Sequence, residues 1–268
     1  MIIIDANPKI SESFDADALI DHMNGPILIG GNLTRIEKAL VLSRPSFMDR
    51  KPPSSPQDYD KQFDWLMQQL DKYPERLFPV MSINPSFEQE YALVLLQKLV
   101  REKGLRALKL HPNLHNFRAN DDVKLLAPML EACSKLNIPV LIHTGDPFSE
   151  PSRVEPVAQA YSNTTFVMLH FGTQTVSFAV DAIAVSKRND NVYLETSQAM
   201  YARLKEAGRV LGADKLIFGS DAPVNDIWAQ AMLVSALQHK PPLGLGMNEE
   251  DLAKIMGGNI AKLAHIPT

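Results

Sequence analysis

The sequence predicts an α/β fold, a single (β/α)8 or TIM barrel, and three observations carry that expectation. Eight short β-rich runs recur along the chain. Amphipathic helical stretches separate the later runs at roughly 30-residue intervals, the length of a strand–helix–strand unit. The length of 268 residues suits a closed barrel, which needs about 250. Residues 1–268 are therefore expected to form one domain.

In order, the runs are IIID at the start, IEKALVL at 36–42, LFPVMSI at 77–83, LRALKLH at 105–111, PVLIH at 139–143, TFVMLH at 165–170, NVYLET at 191–196 and KLIFGSD at 215–221. Solid apolar runs such as VLI and FVML suit strands covered on both faces, as in a parallel barrel. DVKLLAPMLEACSKL, VEPVAQAYS and ARLKEAGRVL carry helical periodicity, as do the aromatic and Met residues of 58–70. PILIGGN at 26–32 reads as a small hairpin insertion. The Pro/Ser-rich stretch 43–57 reads as a functional lid, and NEEDLAKIMGGNIAKLAHI as two short helices broken at Gly257 and Gly258.

A net charge of −4 without a Lys/Arg cluster argues against nucleic acid and anionic membrane as partners. A small-molecule substrate remains, and a homo-oligomer is compatible. One cysteine, Cys133, cannot form an internal disulfide and sits in an apolar helical stretch, which fits a reducing compartment. The opening MIIID is too short for a signal or membrane segment, so the expected location is cytoplasmic.

In a (β/α)8 barrel chemistry gathers at the C-terminal strand ends, so polar residues closing apolar runs carry weight. These are Lys109 and His111, His143, His170, Glu195 and Asp221. Alternation places Lys109 and His111 on one side of their strand, opposite Leu108 and Leu110. Two histidines on successive strands and an aspartate two strands on can meet at one mouth. They would offer the imidazole and carboxylate donors that Zn2+ takes.

On RIEKALVLS, LRALKLHP, IPVLIHTGDP, FVMLHFG, NVYLETS, DKLIFGSDAP and IMGGNIAKL, the chain resembles the amidohydrolase-related family of metal-dependent barrel hydrolases and non-oxidative decarboxylases. The resemblance implies His143 as a metal ligand and His170 as a second ligand or catalytic acid/base. It implies Asp221 as a residue that binds metal or handles a proton. One divalent metal, Zn2+ by choice of ligands, would lower the pKa of bound water in hydrolysis of a small organic acid, ester, lactone or amide, or stabilise the anion in a decarboxylation.

The family's first strand ends Asp-Ala-His-x-His, whereas this chain has Asp5-Ala6-Asn7-Pro8-Lys9. Asn7 is then a weak carbonyl ligand or substrate contact. Lys9 is either exposed or an ammonium beside the lost metal, pairing with Asp221 and attracting a substrate carboxylate. The metal is accordingly present or absent, and two further readings stay open: a catalytically inactive small-molecule-binding barrel, and a Schiff-base lyase using Lys109. Lys109 is expected to pair with Glu195 or Asp221, with Glu195 neutralising it. Lys109, His111, Glu195 and Arg118 are candidate substrate contacts, Arg118 as a carboxylate clamp, although solvent exposure is the simpler expectation for Arg118 and for His115.

Overall fold

The computed structural model describes residues 1–43, 55–86, 89–173 and 175–268. The first stave is split into β1 (Ile4–Asp5) and β2 (Lys9–Ile10), because Pro8 between them has no N–H to give a ladder. Helix α1 (Ala16–Met23) follows, capped by the Asp15 carboxylate, which accepts from Ala18 N at 3.0 Å. The expected insertion is the antiparallel hairpin β3 (Ile27–Ile29) and β4 (Asn32–Thr34), turned on Gly30 and Gly31, both at positive φ.

Strand and helix then alternate through β5 (Lys38–Ser43), α2 (Pro56–Leu70), β6 (Leu77–Ser82), α3 (Gln89–Lys103) and β7 (Ala107–Leu110). Next come the one-turn α4 (Pro112–His115), α5 (Val123–Leu136), β8 (Val140–His143), α6 (Val154–Ala160), β9 (Phe166–Leu169) and α7 (Val176–Arg188). The chain ends with β10 (Val192–Glu195), α8 (Tyr201–Leu211), β11 (Leu216–Ile217), α9 (Ile227–Ser235), α10 (Glu249–Ala253) and α11 (Asn259–Leu263). Most of the proposed lid, residues 44–54, lies outside the described residues.

All neighbours in the order β1-β5-β6-β7-β8-β9-β10-β11 pair in parallel. Closure comes from backbone bonds between the last stave and the first, Ala6 N to Phe218 O at 3.1 Å and Lys9 N to Ala222 O at 2.8 Å. The fold is a TIM barrel.

Alternation sorts the strands into two apolar layers. Leu40, Leu42, Phe78, Val80, Ala107, Leu141, Val167, Leu169 and Ile217 form the interior cluster, to which the C-terminal segment adds Ile260 and Ala264. Val41, Met81, Leu108, Leu110, Val140, Ile142, Phe166 and Met168 pack outward with the helices. Register extends the interior layer to three polar positions, since Lys109 pairs with Leu141, His143 with Leu169, and Glu195 with Ile217.

One expected break is absent. Gly257 and Gly258 lie in a π-helical turn, 254–258, that joins α10 to α11. A side chain at Gly257 would place its Cβ 2.5 Å from Ile2 O, so this glycine permits a close crossing of the first stave instead of ending a helix.

Candidate active site

Three backbone features aim polar side chains into the mouth, and none is a regular strand. The first is a bulge in the opening stave. From Asp5 to Lys9 the chain advances four residues, whereas the partner strand advances three, from Ala39 to Leu42. The additional residue reverses the facing: Asp5 is aligned with the outward Ala39, and Lys9 with the inward Leu42. The second is His170. Strand parity would turn it outward with Met168, but a left-handed φ of 67° swings it in. The third is the pair Gln198 and Asp221, at φ 60° and 61°. Non-glycine residues in this region carry strain that surrounding contacts must hold.

The centre of the arrangement is an ion pair between Lys9 Nζ and Asp221 Oδ1. Asp221 is 1% exposed, and its second oxygen, Oδ2, accepts from Gln198 Nε2 at 2.8 Å and lies 3.8 Å from His170 Nδ1. The His170 ring nitrogen Nδ1 is bonded to Ser197 Oγ at 2.9 Å. Ser197 Oγ in turn donates to Glu195 Oε2 at 2.8 Å, and that carboxylate also accepts from Ser197 N at 2.5 Å and His170 N at 3.0 Å. Asn7 Nδ2 approaches the same group at 3.4 Å.

Three imidazoles line the other side. The His111 ring stacks on His143 with centroids 3.9 Å apart, and His143 meets His170 edge-on at 4.8 Å. His143 Nε2 is bonded to Asp146 Oδ2 at 2.7 Å, while its buried Nδ1 has no hydrogen-bond partner among the described residues. His111 caps α4 by accepting from Leu114 N at 3.3 Å.

Burial controls the charges. Desolvation pushes Lys109 down to about 7 and Glu195 up to about 7. It drives His111, His143 and His170 below the usual histidine range, opposed at His143 by the Asp146 hydrogen bond, and aided by the Lys9 and Lys109 cations and, at His111 and His170, by neighbouring imidazoles. Asp5, which accepts from Ser220 N at 2.9 Å and from Asn7 N at 3.2 Å, is still raised by burial to about 6. Near neutral pH the imidazoles are therefore uncharged, each with one donor and one acceptor nitrogen.

Several expectations need correction. Lys109 does not pair with Glu195 or Asp221; it is 3% exposed and makes no hydrogen bond or ion pair with any described residue. Glu195 is satisfied by Ser197, the His170 backbone and Asn7, so it does not neutralise Lys109 by contact. His115 is 3% exposed instead of solvated, and burial lowers its pKa to about 4. Arg118 lies over the Phe148 ring, 4.5 Å from its centroid, and 3.7 Å from Asp121, and no contact joins it to the Lys9–Asp221 pair.

Asp5, Asp146, Ser197, Gln198 and Ser220 were not anticipated. Asp146 carried a signal, since it follows His143 by three residues in the turn HTGD. Ser197 and Gln198 follow the Glu195 strand end directly. Loop side chains of this kind hold and orient the strand-end groups.

His143, His170 and Asp221 do come together, but they do not fit a divalent cation as a ligand set. Both Asp221 oxygens are engaged, by Lys9 and Gln198, so the carboxylate is not free to ligate, and each imidazole offers only its second ring nitrogen, His143 Nε2 and His170 Nδ1 being bonded to Asp146 and Ser197. Among the described residues no group of three His, Cys, Asp or Glu side chains is disposed to hold a metal. Among them, too, no helix is long and apolar enough to cross a membrane.

Residues 49–265 match the family model described as Amidohydrolase. No curated protein sequence matches the chain. Solved structures share its fold. A Tim-barrel protein from Bordetella bronchiseptica, Bb4693, is 19% identical, with 98% of each chain covered and a TM-score of 0.71. A 2,6-dihydroxybenzoate decarboxylase from Rhizobium is 13% identical, with 99% of each chain covered and a TM-score of 0.74. A 5-carboxyvanillate decarboxylase from Novosphingobium aromaticivorans, complexed with manganese and a substituted nitrobenzoic acid, is 12% identical over 98% of this chain and 96% of that one, with a TM-score of 0.71.

Proposed function

The chain belongs to the amidohydrolase family and is an enzyme of that superfamily, and from that premise we propose that it hydrolyses a small carboxylate-bearing ester, lactone or amide at the barrel mouth, residues 1–268 acting as one domain. The observation that carries the proposal is the Lys9–Asp221 pair set beside His170 and His143 at neighbouring strand ends.

Asp221 accepts a proton from water as the water oxygen adds to the substrate carbonyl carbon. The scissile C–O or C–N bond then breaks, and the proton passes from Asp221 to the leaving group, so the carboxylate is regenerated. His170, 3.8 Å from Asp221, gives its one N–H to Ser197 Oγ, which leaves Nε2 as an acceptor that orients the attacking water. Lys109, His111 and Asn7 line the pocket for the remainder of the substrate.

The decarboxylase relatives favour a second reading, loss of CO2 from a small carboxylic acid. One assay separates the two. Purified protein is offered a panel of esters, lactones, amides and aromatic acids, with products followed by mass spectrometry and CO2 by a coupled assay. Hydrolysis is expected, and Asp221→Asn should lower kcat/KM by about 10^2–10^4 in protein that circular dichroism shows to be folded. CO2 release without hydrolysis establishes the second reading, and saturable binding without turnover establishes an inactive binding barrel.

A further inference from the structure

We propose that the Lys9 ammonium occupies the place of a divalent cation in this mouth and that it, not a metal, binds the carboxylate of the substrate. The inference deepens the hydrolytic reading, because it concerns the same mouth and assigns the group that recognises the substrate's anionic end.

Four observations carry it. The opening stave bulges by one residue, and that bulge turns Lys9 from the outward register of Asp5 to the inward register of Leu42. The backbone holds Lys9 there from both sides, by the bond from Lys9 N to Ala222 O at 2.8 Å and by the bond from Leu42 N to Pro8 O at 3.2 Å. The ammonium then lies on Asp221, the carboxylate at the end of the eighth stave, whose other oxygen is held by Gln198. Finally, the lysine is not sealed off: its side chain is 13% exposed, against 2% for Asp221.

An ammonium carries three N–H donors. One is committed to Asp221, and two remain for an incoming anion. The flanking imidazoles are each committed through one ring nitrogen to another group, His143 to Asp146 and His170 to Ser197. The ligand chemistry is therefore a carboxylate on a small organic molecule, with its carbonyl end directed toward Asp221 and His170.

The experiment reads binding and metal content, so it is independent of finding a substrate. Malonate is the probe, titrated by calorimetry into wild type and Lys9→Met, with and without chelator. Manganese content is measured on wild type and on the double variant Asn7→His with Lys9→His. Wild type should bind malonate equally well with chelator present, and Lys9→Met should bind it about ten- to a hundredfold more weakly, the range for losing a charge-assisted bond. Wild type should take up manganese far below one per chain, whereas the double variant should approach one. Equal malonate binding by wild type and Lys9→Met, absent binding by both, loss of binding on chelation, or stoichiometric manganese on wild type each overturns the proposal. If Lys9→Met does not fold, the chelator and manganese results on wild type decide. Failure of the hydrolytic reading alone would leave these results unchanged.

Discussion

Replacing Lys109 by methionine should make the protein more stable while removing a pocket residue. Lys109 is 3% exposed in an interior ring that register places between Ser82 and Leu141, and burial pushes its pKa from 10.5 down to about 7. Each tenfold change in proton affinity is worth about 1.4 kcal/mol, so the buried amine costs the folded state on the order of 5 kcal/mol at neutral pH and below. The sign follows from proton counting. Between about 7 and 10.5 the unfolded chain holds the proton and the folded chain has released it, so wild-type stability rises with pH across that window. Methionine matches the lysine stem in length and carries no charge. Lys109→Met should therefore gain stability at pH 7, up to about 10 °C in thermal midpoint for a domain of this size, and the gain should shrink steadily toward pH 10. Scanning fluorimetry of both proteins across that range measures it. A variant no more stable at pH 7, or a gain that does not change with pH, would refute the argument that desolvation of this amine controls its proton.

Two further outcomes test the packing around the site. Gly219→Ala would put a Cβ 2.3 Å from Glu195 Oε1; because that carboxylate is fixed by Ser197 and the His170 backbone, the variant should lose about 1–3 kcal/mol in urea denaturation, and wild-type stability would mean that Glu195 moves freely. Cys133 is fully buried, and burial raises its thiol far above the ordinary range. It should resist an aromatic disulfide reagent in the native state and react completely in denaturant; rapid native labelling would contradict the helix packing.

The barrel was legible in the sequence because parallel strands covered on both faces must be apolar throughout. Runs such as VLIH at 140–143 and FVML at 166–169 announce themselves without any helical period. Strand-end polarity likewise brought out Lys109, His143 and Asp221. What could not be read was facing, wherever the backbone departs from alternation. Strict period two would group Lys9 with Asp5, and only the bulge separates them. Period two would turn His170 away from the mouth, and only its left-handed φ brings it in. Pairing was also illegible: Lys109 and Glu195 carry opposite formal charges on inward positions, yet Glu195 is taken up by Ser197 and a backbone N–H, partners supplied by the loop just after its own strand. Composition cannot reveal such competition, because a neighbouring hydroxyl and an unpaired strand-end amide satisfy a carboxylate as well as a distant lysine does.

The Lys9 ammonium has a further physical consequence for the mouth. A divalent ion about 4 Å from it would meet a repulsion of about 8 kcal/mol at an effective dielectric constant near 20. Asp221, the nearest carboxylate, attracts the same ion and offsets much of this, but the pair is neutral overall, so the mouth lacks the net negative charge that a free Asp221 would supply. The imidazoles remain chemically able to bind metal, being neutral, so the obstacles are the lysine that neutralises Asp221 and the missing donors at Asn7 and Lys9. Adding a ligand at Asn7 alone would leave that charge in place. Removing Lys9 alone would free Asp221 without completing a donor set. Only the paired replacement Asn7→His with Lys9→His does both, which is why metal uptake by the double variant, compared with each single one, separates electrostatic exclusion from a simple lack of ligands. If Asn7→His alone took up manganese as fully as the double variant, the repulsion would be too weak to govern the site.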